Sequence, residues 1–228
     1  MTRLACLAIL ATVATASAET LEDVEKELTE KFQKYTALSA DMKMTMQMAP
    51  GMSAESTGTM EFVRHDGKER LRSEIKMSMN HGGQTIESHV ISTFDGENAY
   101  TISEMMGQKQ VMRTDPGKVA GRAGGSAFWA DLKRDYTLKL LPDEKVDDVP
   151  TYVIQGTPKQ PVPQGPSQMK YYFDKGRGLM IKMVGHNTAG DMMMSMTLSN
   201  VKVNPKLDPA RFEFKPEPGT NVIDMTGR

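Results

Sequence analysis

Asp41-Met42-Lys43-Met44-Thr45-Met46-Gln47-Met48 decides the fold, because polar and thioether side chains alternate along it without a break. A period of two is that of a β-strand, whose successive side chains point to opposite faces. Ala49-Pro50-Gly51 then turns the chain. Met60, Phe62 and Arg64 share one side of the next strand, and His65-Asp66-Gly67-Lys68 reads as a hairpin turn with glycine at the permissive position. Leu71, Ser73, Ile75, Met77 and Met79 alternate again, followed by a turn at Asn80-His81-Gly82-Gly83. Ile86, Val90 and Phe94 lead to a turn at Asp95-Gly96, after which Tyr100 and Ile102 run past Gly107 to Val111. The pattern is that of an antiparallel meander.

Upstream, Thr20 with Asp23 three residues on forms a capping box. Val24, Leu28, Phe32, Tyr35 and Leu38 follow at spacings of four, four, three and three, which predicts one apolar stripe on a helix. Residues 115–134 break the rhythm of two. Asp115-Pro116 opens a helical segment with Val119, Phe128, Trp129 and Leu132 as its apolar members, while Gly121, Gly124 and Gly125 weaken it. A mobile helical crossing between two groups of strands is expected there.

The second group runs through Tyr136, Leu138 and Leu140, then Tyr152 and Ile154. Prolines at 158, 161, 163 and 166 require an extended loop. Met169, Tyr171 and Phe173 alternate into the turn at 174–178; Leu179, Ile181 and Met183 return; Met192, Met194, Met196 and Leu198 form the last long strand. Asp208-Pro209 starts a short helical turn before Phe212 and Phe214. A sheet this long must curl and have its apolar face covered. The expected fold is therefore mainly β (α+β): a strongly curved antiparallel sheet, an incomplete β-barrel, covered by the N-terminal helix and the mid-chain helical segment.

Residues 1–18 read as a cleavable export signal: Arg3, an apolar run from Leu4 to Val13, and Ala16-Ser17-Ala18 ahead of a cut after Ala18. The run is too short for a membrane span. Residues 19–228 would then form one domain with 27 Lys+Arg against 29 Asp+Glu and no cysteine, since Cys6 is the sole one. That excludes a disulfide, a thiolate nucleophile and a Cys-bound metal, and the balanced charge gives no footprint for nucleic acid. No G-x-S-x-G or H-E-x-x-H is present. No catalytic residue, cofactor or metal ligand is assigned, and the chain is not expected to be an enzyme.

Four motifs in order carry a family resemblance: "G-x-M-x-F-x-R" (Gly58 to Arg64), "F-D-G" before an aromatic (Phe94-Asp95-Gly96, Tyr100), "Y-Y-F-D-K-x-x-G-L" (Tyr171 to Leu179) and "S-N-V-K-V-N-P…F-E-F-K-P" (Ser199 to Pro216). Together they resemble the LolA-type family of periplasmic lipoprotein carriers and outer-membrane lipoprotein-sorting proteins. The resemblance implies a monomer in the periplasm whose half-barrel takes up acyl chains of lipoproteins or lipids, with a membrane-bound donor or acceptor as partner. It also implies that a strand arginine latches the helical lid. Arg64 stands at that place, followed by His65 where the family usually has proline.

With 20 methionines, Met1 among them, thioether side chains dominate the apolar strand faces. Methionine is unbranched and polarizable, so a wall of it can repack around tails of varied shape. The expected lipid contacts are Met42, Met44, Met46, Met60, Phe62, Met77, Met79, Phe94, Tyr100, Trp129, Tyr171, Phe173, Met194 and Met196. Ordinary core packing is the plain alternative for each. Copper is the sharper one: Met42 to Met48, and Met77 and Met79 with His81, offer soft ligands suited to Cu(I). A third reading is a sensor that shares the fold and signals lipoprotein stress to a partner.

Overall fold

The computed structural model describes residues 19–49, 51–119, 124–161 and 163–227. The expected export signal and its cleavage point therefore lie outside the described residues, as does Gly121. Helix α1 spans Leu21–Gln33, and the expected capping box is present: the Thr20 hydroxyl accepts from the Asp23 amide, and the Asp23 carboxylate accepts from the Thr20 amide. Val24, Leu28 and Phe32 are its buried stripe. The helix stops earlier than the spacing predicts, so Tyr35 follows it and Leu38 belongs to the first strand. The chain leaves the helix there because Asn204 Oδ1 accepts from the Thr36 and Ala37 amides, at 2.8 and 3.3 Å, and draws that segment onto the sheet.

Among the described residues twelve strands form one curved open sheet. The first six are β1 (Ala37–Ala49), β2 (Met52–His65), β3 (Lys68–His81), β4 (Gln84–Phe94), β5 (Ala99–Met105) and β6 (Gln108–Thr114). A short 3-10 turn at Pro116–Lys118 and helix α2 (Gly125–Asp135) follow. Then come β7 (Tyr136–Val146), β8 (Val149–Pro158), β9 (Gln168–Asp174), β10 (Met180–His186), β11 (Met192–Val203) and β12 (Val222–Met225). The order across the sheet is β12-β6-β5-β4-β3-β2-β1-β11-β10-β9-β8-β7. Two sequential meanders thus meet along one ladder, β1 against β11. Every pairing is antiparallel except β12 with β6.

Register assigns the faces, because directly paired residues point the same way. Leu38 pairs with Phe62, Phe62 with Leu71, and Leu71 with Phe94. Met42 pairs with Leu198, and Met44 with Met196. All of these share the inner face, on which the helices lie. The main core packs Val24 and Leu28 of α1 and Trp129 and Leu132 of α2 against Tyr152, Ile154, Met169, Tyr171 and Phe173.

The outer face is crossed by the C-terminal segment. Phe212, fully buried on a 3-10 turn at Pro209–Phe212, packs against Ala37 and Val63. Arg211 pairs with Glu61 at 3.1 Å, Arg70 with Glu213 at 3.6 Å, and Phe214 lies against Tyr100 with centroids 5.3 Å apart.

Candidate functional site

An apolar cavity lies between the helices and the inner face. It measures about 130 Å³ and is partly open to solvent. Leu28 and Phe32 of α1, Phe128 and Trp129 of α2, and Phe62, Phe173, Leu179 and Met196 from the sheet side line it. The aromatic rings set its shape. Trp129 stacks on Phe173 with centroids 5.3 Å apart, Phe128 meets Phe173 edge-on at 6.2 Å, and Phe32 tilts against Phe62 at 5.3 Å. Gly124 and Gly125 pass close to the Phe32 ring. A Cβ on Gly124 would sit 2.8 Å from it, and Gly125 has φ +76°, a conformation suited to glycine.

The helical cover is held by polar ties at its margins. Arg64 on β2 donates from Nη1 to the carbonyls of Gln33 (3.1 Å) and Tyr35 (2.9 Å), where α1 ends and its carbonyls lack helical partners. Its Nη2 reaches Glu69 Oε1 at 2.7 Å, and its guanidinium carbon lies 5.9 and 5.5 Å from the ring centres of Phe32 and Phe62. The Tyr152 hydroxyl shares one hydrogen between Glu19 Oε1 (2.8 Å) and Glu27 Oε2 (2.9 Å). Lys31 donates to Glu27 Oε1 at 2.6 Å and to the Lys175 carbonyl, and Lys133 of α2 pairs with Glu25 of α1.

These surroundings shift several titrations. The Lys31 bond holds the Glu27 carboxyl below its usual value against the opposing effect of burial, with the Tyr152 hydroxyl adding to the lowering. Burial first, and then the bonds to Glu19 and Glu27, push the Tyr152 phenol well above its ordinary range. Burial does the same to Tyr171, reinforced by Tyr136 beside it. Both phenols therefore stay neutral donors at any ordinary pH. Among the described residues no cluster of three or more His, Cys, Asp or Glu side chains could hold a metal ion.

Of the expected lipid contacts, Met60, Phe62, Trp129, Phe173 and Met196 are brought together around the cavity. Tyr171 is buried in the adjoining core and Met194 packs against it. Met42 is buried on the inner face, and Phe94 is buried opposite Leu71. Met44, Met46, Met77 and Met79 share that face but are only half-buried and lie outside the cavity lining. Tyr100 is not among them. It pairs with Thr93 and Arg113 on the outer face, where Phe214 covers it. Leu28, Phe32, Leu179 and Leu198 line the cavity without having been singled out as contacts. Leu198 had a readable signal, since it continues the alternation of Met194 and Met196.

No protein-family model matches the chain, and no curated protein matches it in sequence. Solved structures do match. A conserved protein from Thermus thermophilus aligns with TM-score 0.53 at 11% identity, covering 89% of this chain and 98% of that one. The Pseudomonas aeruginosa MucA/MucB complex aligns with TM-score 0.50 at 15% identity over 85% of this chain, which spans 60% of the length of the chain it matches there. An outer membrane lipoprotein-sorting protein domain from Vibrio parahaemolyticus also matches, with TM-score 0.40, 13% identity and 85% and 95% of the two chains covered. No helix among the described residues is long and apolar enough to cross a membrane. At such identities the likeness is one of fold alone: a large curved open sheet under two helices.

Proposed function

We propose that this protein is a monomeric carrier of lipid acyl chains that works in the periplasm after export, binding a tail in the apolar hollow beneath α1 and α2. The observation that supports this reading is the cavity itself: apolar and aromatic side chains line it, and it opens to solvent on a face the helices cover. Binding would draw its energy from burial of hydrocarbon, about 0.8 kcal/mol per methylene. Release would follow from α1 lifting off the sheet, with Arg64 as the latch that resists it. The inner-face methionines beyond the cavity would repack around the rest of the tail. Catalysis has no part in this reading.

Trp129 supplies the test, because it is the only tryptophan in the chain and forms part of the cavity wall. Titration with a single-chain fatty acid or lysophospholipid is expected to change its emission saturably, and native mass spectrometry to show the bound lipid. A flat titration together with a lipid-free mass spectrum rejects the carrier reading. The likeness to the MucA/MucB structure favours one second reading, in which the same fold binds a partner protein and reports on lipid. Recovery of a specific membrane-anchored partner, with binding altered by added lipid, would support it.

A further inference from the structure

The inner face carries thioethers beyond the cavity, and register sets two of them, Met44 and Met183, on either side of Met196 of the cavity wall. Met183 of β10 is the cross-strand partner of Met196 of β11, and Met196 is the partner of Met44 of β1. The three lie in one row on successive strands and on the same face. Directly opposed residues hold their Cβ atoms about 4.5–5.5 Å apart, a gap that unbranched methionine side chains can close. In the next row Met194 faces Met46. Met44, Met183 and Met196 are each half-buried, so the row is reachable from solvent yet largely shielded from it.

Bulk alone does not explain this row. Strand interiors favour β-branched and aromatic side chains, and valine or isoleucine would fill the same face with less loss of rotamer freedom. Methionine adds a soft, neutral sulfur donor. A hard divalent ion finds no carboxylate or imidazole cluster among the described residues. Thioethers select a soft monovalent ion.

We propose that Met44, Met183 and Met196 form a three-thioether site for Cu(I), placed on the ladder where the two meanders join. The within-strand run from Met42 to Met48 is not the ligand set. The ligands come from three strands, and a bound ion ties β10, β11 and β1 together beside the cavity wall that Met196 also forms.

The test uses the full mature chain, Ag(I) as a redox-inert probe, and Cu(I) under anaerobic ascorbate with a colorimetric chelator as competitor. One equivalent of either ion is expected to bind. In methyl-labelled protein the Met44, Met183 and Met196 resonances should move together, while those of Met106, 82% exposed, and Met225, 56% exposed, stay in place. The combined Met44→Leu, Met183→Leu variant, which leaves Met196 of the cavity wall in place, should lose ion affinity by at least an order of magnitude. Should that variant fail to fold, Met183→Leu alone is expected to weaken binding and abolish the shared shift. Retention of Ag(I) by the leucine variants, shifts confined to the exposed methionines, or no uptake at micromolar ion overturns the site. A missing fatty-acid response with normal ion uptake counts against the carrier reading alone.

Discussion

Arg64→Leu is the sharpest probe of how the cover is held. The substitution removes two hydrogen bonds from a charged donor to the carbonyls of Gln33 and Tyr35, the bond to Glu69, and contacts with two rings. Hydrogen bonds to charged groups contribute about 1.5–3 kcal/mol each, and each cation–π contact about 0.5–1 kcal/mol. The Arg64 side chain is 30% exposed, so water takes over part of these interactions, and the exposed pair with Glu69 adds under about 1 kcal/mol. A net loss of about 2–3 kcal/mol follows, concentrated at the C-terminal end of α1. A free-energy difference of about 1.4 kcal/mol is tenfold in population, so the lifted state of α1 should grow by about 30- to 100-fold. Hydrogen exchange of the α1 amides reads this directly, and exchange in β8 and β9 should change far less. Tm is expected to fall by about 4–12 °C. Arg64→Lys keeps the charge but not the forked donor, and should recover less than half the protection. Exchange of α1 in Arg64→Leu within twofold of wild type would refute the latch. So would equal acceleration across the whole sheet, which would mean that Arg64 supports global stability only.

Four further outcomes are expected. Gly58→Ala should destabilise by about 1–3 kcal/mol or more, measured by urea unfolding, because the new Cβ would fall 2.0 Å from the Glu74 carbonyl oxygen on β3, a backbone atom that cannot step aside. Phe212→Ala should cost about 3–5 kcal/mol and release the C-terminal segment to proteolysis ahead of global unfolding, given that the ring is fully buried against Ala37 and Val63. In a series of fatty acids, affinity measured through Trp129 should rise about fourfold per methylene until the hollow is filled, from about 0.8 kcal/mol for each; affinity independent of chain length would contradict binding by burial. Glu27 titrates below its usual value in the folded chain. Its stabilising effect is thus present above pH of about 4.5 and is lost as pH falls through the lowered folded value. Glu27→Gln should lower stability at neutral pH by less than about 1 kcal/mol, and the difference from wild type should vanish in acid melts.

How much could be read beforehand depended on whether a signal was local. The capping box at Thr20 and Asp23 and the alternation from Asp41 to Met48 are short-range chemistry, and both appear as read. Tyr100 shows the limit. Its alternation with Ile102 is real, but the apolar phase faces outward there because Phe214, more than a hundred residues later, covers it. Pro158 ends β8 instead of opening the loop, since Tyr136 on β7 still pairs with it. The cavity also sits at the aromatic end of the inner face and not over its most methionine-rich part. Length explains this: the 13 residues of α1 extend about 20 Å, whereas twelve strands at about 4.8 Å spacing span more than twice that. A cover of that size shields only part of the face, and tertiary reach of this kind leaves no mark in local sequence.

The single ladder between β1 and β11 governs how such a chain can assemble. Leu38 must find Val203 across most of the chain's length, and contacts so distant in sequence form slowly because loop closure comes before any reward. Until then the two meanders stand apart as half-sheets, each with a raw backbone edge open to a wrong neighbour. A newly made chain therefore passes through a sticky interval, and substitutions that delay that final zipping should raise aggregation even where the finished protein is no less stable.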